Sequence, residues 1–195
     1  AKRIHSQTIL SQGKISVGSL AVDFVKEKLG TLQDKNILII GIGKVSELVL
    51  KYLKEESPRV VFVSNRTFER AEELAKQISA KAVRFDDLPH FLSQADAIIT
   101  ATASPHFILR KEALEKALRH KLLIVDLAVP RDVDPRVSEL EGIELFNLED
   151  LESIIQKNLE RRQSEAEKAR EIIKREVRIR WQRLTKLEPA EARLP

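Results

Sequence analysis

Ile37-Leu38-Ile39-Ile40-Gly41-Ile42-Gly43-Lys44-Val45-Ser46 decides the fold of this 195-residue chain. Four branched apolar residues in a row suit a strand buried on both faces. Two glycines follow at once, where a strand must turn tightly into a helix. Gly41 permits the corner, and Gly43 lets the backbone approach a pyrophosphate. Ile42 lies between them, and the amides from Lys44 through Val45 to Ser46 form the positive end of the next helix, which favours an anion. The third glycine of the dinucleotide fingerprint is replaced by Ser46, which implies slightly looser packing of helix on strand. A Gly-x-Gly pair by itself occurs in many tight turns. Between a strand and a helix in a βαβ unit, it points to a bound dinucleotide.

The next apolar run, residues 59–64, ends in Ser64-Asn65-Arg66-Thr67. An NAD-specific domain carries a carboxylate there, which accepts hydrogen bonds from the adenosine ribose and would repel a 2′-phosphate. This chain offers a guanidinium, with Ser64, Asn65 and Thr67 as donors beside it. Arginine pairs with phosphate through two bonds and stacks on adenine. The cofactor expected is therefore NADPH. Thr67 also stands where a helix N-cap belongs, and a merely solvated helix start is the alternative for Arg66.

Strand and helix patterns alternate outward from this pair. Helices are expected at 17–29, 44–55, 68–79, 88–94 and 111–119, and strands at 36–40, 59–64, 81–85, 97–102, 122–127 and 143–146. Nearly continuous apolar strands separated by helices mean a parallel sheet covered on both faces. The fold class is α/β, a Rossmann-like doubly wound parallel sheet, with a long C-terminal helical arm. From residue 148 to about 187 the pattern becomes one polar helix. Its apolar residues, among them Leu151, Ile155, Ile173, Val177 and Trp181, step by three, four or seven. Such a narrow stripe needs another helix or domain to cover it. Three segments result: 1–30, an extended leader and a helix packed on the nucleotide domain; 31–147, the NADP-binding domain; and 148–195, the arm and tail.

At the carboxyl edge of the sheet, Thr100-Ala101-Thr102 and Ala128-Val129-Pro130 follow the fourth and fifth strands. Ligands of this fold lie there, so Thr100, Ala101, Thr102, Ala128 and Pro130 complete the expected cofactor-binding set. Arg131, Asp132 and Asp134 have two readings, a charge network that fixes the loop or a contact with substrate.

Composition removes other classes. The chain has no cysteine, hence no disulfide framework, thiolate zinc site or cysteine nucleophile. No run approaches the ~18 apolar residues of a membrane span, and no secretion signal opens the chain, so a cytoplasmic protein is expected. His5, His90, His106 and His120 show no metal-ligand spacing, and no catalytic constellation is legible. Residues 1–150 hold 22 basic and 22 acidic side chains, and residues 151–195 hold 12 and 8, so the whole net charge of +4 lies on the arm. Its basic residues could meet RNA phosphates, but Glu160, Glu165, Glu167, Glu171 and Glu176 are interspersed as on a solvated helix.

Taken in order, several segments resemble glutamyl-tRNA reductases: Lys14-Ile15-Ser16-Val17, the glycine turn with Glu47-Leu48, Asn65-Arg66-Thr67, Ala101-Thr102-Ala103, the run Asp126-Leu127-Ala128-Val129-Pro130-Arg131-Asp132-Val133-Asp134-Pro135, Asn147-Leu148-Glu149-Asp150-Leu151, and Arg161. The glycine turn and Asn-Arg-Thr are shared with shikimate dehydrogenase-like domains, and the glycine turn also resembles that of the dehydrogenase of sirohaem synthesis. The resemblance implies an enzyme of three parts that makes glutamate-1-semialdehyde for tetrapyrrole synthesis. In that family a cysteine of an amino-terminal domain takes the glutamyl group from tRNA as a thioester, and hydride from NADPH releases the aldehyde. A spinal helix leads to a dimerisation domain. The expectation for this chain is the NADPH domain and its arm, with glutamyl-tRNA and a homodimer partner engaged through the remaining domains, and no activity alone because the nucleophile is absent. Another NAD(P) oxidoreductase domain, or a non-catalytic dinucleotide-binding module, is the competing reading.

Overall fold

A computed structural model describes residues 16–118 and 120–185. The leading residues of the 1–30 segment, and the tail beyond 185, lie outside the described residues. The described chain forms two compact units, one ending at Glu152 and the other beginning at Ser153.

The first unit is a six-stranded sheet flanked by helices. Its strands are β1 (Asn36–Ile40), β2 (Val60–Asn65), β3 (Lys81–Arg84), β4 (Ala97–Thr100), β5 (Leu122–Asp126) and β6 (Ile143–Asn147). The helices are α1 (Val17–Leu29), α2 (Lys44–Glu56), α3 (Phe68–Ile78), α4 (Leu88–Leu92) and α5 (Lys111–Ala117), with 3-10 turns at Phe85–Asp87 and Pro135–Glu139. Strand order is β3-β2-β1-β4-β5-β6, and every pairing is parallel. The order reverses between β1 and β4, so the ligand crevice of a doubly wound fold opens at their carboxyl ends.

The period of two along each strand sorts its side chains between the two faces. Leu38, Ile40, Phe62, Val83, Ile98 and Ile124 form one cluster with Leu88 and Leu92 of α4 and Leu114 of α5. The alternate residues Ile37, Ile39, Val63, Ile99 and Val125 are also fully buried. Helices α1, α2 and α3 contribute Ala21, Val25, Val49, Leu53, Ala71 and Ala75 to the buried set. Here α1 crosses α2 closely: a Cβ on Gly18 would lie 2.7 Å from both the Leu48 Cβ and the Val49 amide nitrogen. Ser16 caps α1, its hydroxyl accepting from the Ser19 amide at 3.0 Å.

Helix α6 runs from Leu148 to Thr185. A reciprocal capping box opens it: Asn147 Oδ1 accepts from the amides of Glu149 and Asp150, while Asp150 accepts from the Asn147 amide at 2.9 Å. Leu151 is buried in the first unit. Within the second unit Ile172, Ile173, Val177 and Trp181 are exposed.

Candidate functional site at the carboxyl edge of the sheet

The glycine turn has the geometry its residues dictate. Gly41 sits at φ +102°, and a Cβ there would lie 2.7 Å from the Thr102 Cγ2 and 2.8 Å from the Ala101 carbonyl oxygen. No other residue fits both the torsion and the space. The Gly41 amide donates to the Ser64 carbonyl at 2.8 Å, tying the turn to the end of β2. Gly43 is extended, at φ −158° and ψ 179°, and caps α2 without a side-chain bond. A Cβ built on it meets nothing within 4 Å. Open space therefore lies beside the first-turn amides of Lys44, Val45 and Ser46, which have no intrahelical acceptor.

Lys44, Arg66 and Thr67 are exposed around this turn, and Ile42, Val45 and Asn65 are half-buried. Arg66 makes no ion pair among the described residues. The Asn65 Nδ2 donates to the Thr67 carbonyl at 3.2 Å, holding the short link between β2 and α3. Thr67 occupies the N-cap position of α3 as the sequence suggests, but its hydroxyl makes no capping bond. Ser46 and Ser64 are fully buried, and neither hydroxyl has a hydrogen-bond partner. Ser46, which replaces the third glycine, is thus enclosed between helix and sheet.

Beyond β4 and β5 the polar groups are densely bonded. The Asp126 carboxylate is buried and accepts from the Thr100 hydroxyl at 2.8 Å and from the amides of Ala128, Asp132 and Val133 at 3.0–3.1 Å. Buried Asp132 accepts in turn from the Thr102 amide at 2.8 Å and from the Thr102 hydroxyl. Burial pushes the Asp132 carboxyl above the usual carboxylate range, opposed by the two Thr102 bonds and reinforced by the charge of Asp126. Asp134 accepts from the Arg136 backbone amide and guanidinium, and these bonds hold its carboxyl below the ordinary value.

The charge network expected among Arg131, Asp132 and Asp134 does not form. Arg131 is exposed and reaches Glu149 at 3.6 Å, Asp132 turns to Thr102, and Asp134 turns to Arg136. The reason is burial: an acid sunk beneath a loop is satisfied by the nearest amides and hydroxyls, while a flexible guanidinium stays in solvent. The sequence reading missed Asp126 as the hub. Its signal is a carboxylate closing the otherwise apolar strand Leu122-Leu123-Ile124-Val125-Asp126.

Among the other expected residues, Thr100 and Ala128 are buried, Ala101 and Thr102 half-buried, and Pro130 exposed beyond a cis bond to Val129. His106 is exposed, its amide bonded to the Ser104 hydroxyl. A cleft of about 640 Å³ lies between α2 and α3, lined by Lys51, Lys54 and Arg70 and touching the turn only at Ile42. No group of three or more metal-ligating side chains occurs among the described residues, and no described helix is long and apolar enough to cross a membrane.

Sheet order, glycine turn and edge loops together define a nucleotide-binding domain of the Rossmann type. Residues 23–154 match the family model described as Shikimate / quinate 5-dehydrogenase, and the chain belongs to that family. Over most of its length it is homologous to glutamyl-tRNA reductases. It is 41% identical to the glutamyl-tRNA reductase of Methanosarcina mazei over 181 residues, which are 91% of this chain and 40% of that protein. The solved glutamyl-tRNA reductase of Methanopyrus kandleri superposes with a TM-score of 0.71 at 39% identity, covering 95% of this chain and 48% of that one. A shikimate dehydrogenase solved in complex with NADP+ matches at a TM-score of 0.55 and 26% identity over 69% of this chain and 50% of its own. The chain thus spans less than half the length of these two glutamyl-tRNA reductases. Family and fold are those of NAD(P)-type dinucleotide-binding domains.

Proposed function

We propose that this chain is the NADPH-holding part of a glutamyl-tRNA reductase, with residues 31–147 as the nucleotide domain, 1–30 as its leader and 148–195 as the arm. The observation that carries this reading is the bond from the Gly41 amide to the Ser64 carbonyl. It brings the glycine turn and Asn65-Arg66-Thr67 to one edge, a pyrophosphate cradle beside an unpaired guanidinium. The protein groups fit such a cofactor. Gly43 leaves room for the pyrophosphate, the amides of Lys44 to Ser46 face it, and Ile42 and Val45 shape the turn. Arg66 takes the 2′-phosphate, with Asn65 and Thr67 around the ribose, while Ser64, expected as a donor there, is buried and serves the turn through its carbonyl. Thr100, Ala101, Thr102, Ala128 and Pro130 bound the other half of the edge.

When bound, NADPH supplies hydride. This chain binds and orients it, and the substrate is carried elsewhere in the enzyme as an acyl thioester. Glutamyl-tRNA engages through the rest of that enzyme, in the cytoplasm, and the exposed Ile173, Val177 and Trp181 of the arm support self-association as a homodimer. Titrating the protein with NADPH and NADH tests the cofactor reading. NADPH binds more tightly, and Arg66→Ala weakens it roughly ten- to hundred-fold, the worth of one or two charge-assisted bonds, while NADH is unaffected. Equal affinity for both cofactors, unchanged by the substitution, defeats the phosphate assignment.

A further inference from the structure

We infer that Asp132 is a positioning residue for the nicotinamide half of the dinucleotide site, holding the loop after β4 against the loop after β5; this rests on the NADPH reading above. In a doubly wound fold the two mononucleotide halves divide the sheet at the switch point. The glycine turn and Arg66 belong to the β1–β3 half, which takes the adenosine. The β4–β6 half is left for the nicotinamide, and its edge consists of the two loops that Asp132 joins.

The joint is specific in its bonds. Asp132 grips Thr102 through both the backbone amide and the hydroxyl, thirty residues away in sequence. Its own amide is gripped by Asp126, which also holds Ala128, Val133 and Thr100. The Asp132 carbonyl accepts from the amides of Ile108 and Leu109, so the far end of the β4 loop is pinned by the same residue. A buried residue bonded through its carboxylate, amide and carbonyl cannot shift without leaving donors unpaired. Asp132 itself is 0% exposed, so its side chain does not face the edge. Its effect passes through Thr102 and through the loop that carries Ala128 and Pro130. Exposed Val129 and Phe107, at 62% and 42%, stand on these same two loops, so the clamp fixes where their apolar side chains stand at the edge.

Asp132→Asn tests the inference with two ligands, NADPH and 2′,5′-ADP, the latter carrying only the adenosine half. The expected result is a loss of roughly ten-fold in NADPH affinity with 2′,5′-ADP changed less than about two-fold. Bound 2′,5′-ADP also reports that the variant is folded. Should Asp132→Asn not fold, Thr102→Val must show the same split, since it keeps the amide bond to Asp132 and removes the hydroxyl's bond to Asp132 together with the one it accepts from the Ser104 amide. Equal losses for both ligands, or none, overturn the inference and leave the NADPH reading standing. Failure of the unsubstituted protein to bind 2′,5′-ADP overturns both.

Discussion

Six polar side chains are buried among the described residues, and they divide by location. Thr100, Asp126, Asp132 and Asp134, on the β4–β5 half of the edge, all have hydrogen-bond partners within the chain. Ser46 and Ser64, on the β1–β2 half, have none. The free donors divide the same way. Around the glycine turn, helix amides and the Arg66 guanidinium point away from any protein acceptor, whereas beyond β5 the loop amides are taken up by carboxylates. One half carries its own anions and sets its shape unaided. The other half gathers positive groups and gains most when an anion arrives from outside. A dinucleotide whose charge is concentrated on pyrophosphate and 2′-phosphate suits that division.

The largest effect should come from breaking the self-sufficient half. Asp126→Ala removes the acceptor of the Thr100 hydroxyl and of the amides of Ala128, Asp132 and Val133. Buried donors lose their acceptor at once, which costs roughly 3–5 kcal/mol of folding stability. Urea unfolding measures it directly. A loss below about 1 kcal/mol means that water reaches these amides and the hub is not buried as described.

How much of this was visible in the chain follows the range of the interactions. Strand β1 reads to the residue, because a buried apolar run is bounded by Lys35-Asn36 and Gly41. The end of β4 is overrun by two residues: the expected strand continues to Thr102, while the ladder stops at Thr100. Thr102 is branched and strand-like, but its amide goes to Asp132 and not to a neighbouring strand. The 3-10 turn Pro135–Glu139 was unforeseen, although Asp134-Pro135 carries its cause, an aspartate whose carboxylate accepts from the Arg136 amide. Most of the expected binding residues follow from motif spacing. The clamps beneath them do not, since no local period connects position 102 with 132, or position 100 with 126.

Acid separates the two buried acids of the loop by sign. Asp134 has its carboxyl lowered by Arg136, so the stability it lends is present above the ordinary carboxylate value of about 3.9 and is lost as pH falls through its folded value. Asp132 is raised by burial, so its ionised form costs stability at neutral pH, and that cost is relieved as pH falls from the raised value toward the ordinary one. Unfolding midpoints compared at pH 7 and pH 3 should therefore drop less in Asp134→Asn than in the unsubstituted protein, and drop more in Asp132→Asn. Identical pH profiles in all three would mean that neither acid is linked to folding.

The smallest effects give the cleanest contrast between the halves, because each change takes away one buried hydroxyl, deleted in Ser64→Ala and replaced by a methyl in Thr100→Val. Ser64→Ala removes a buried hydroxyl that satisfies nothing, so the cost of desolvating it disappears and stability rises by about 0.5–1 kcal/mol. Thr100→Val removes a hydroxyl of similar burial, but this one donates to Asp126. Its loss leaves the carboxylate one donor short and lowers stability by about 1–2 kcal/mol. Opposite signs in thermal or urea unfolding follow from the bonding pattern alone, since both side chains are fully buried and both substitutions keep the backbone. If Ser64→Ala is destabilising instead, its hydroxyl has a partner within the chain, and the contrast in bonding between the two halves fails at this position.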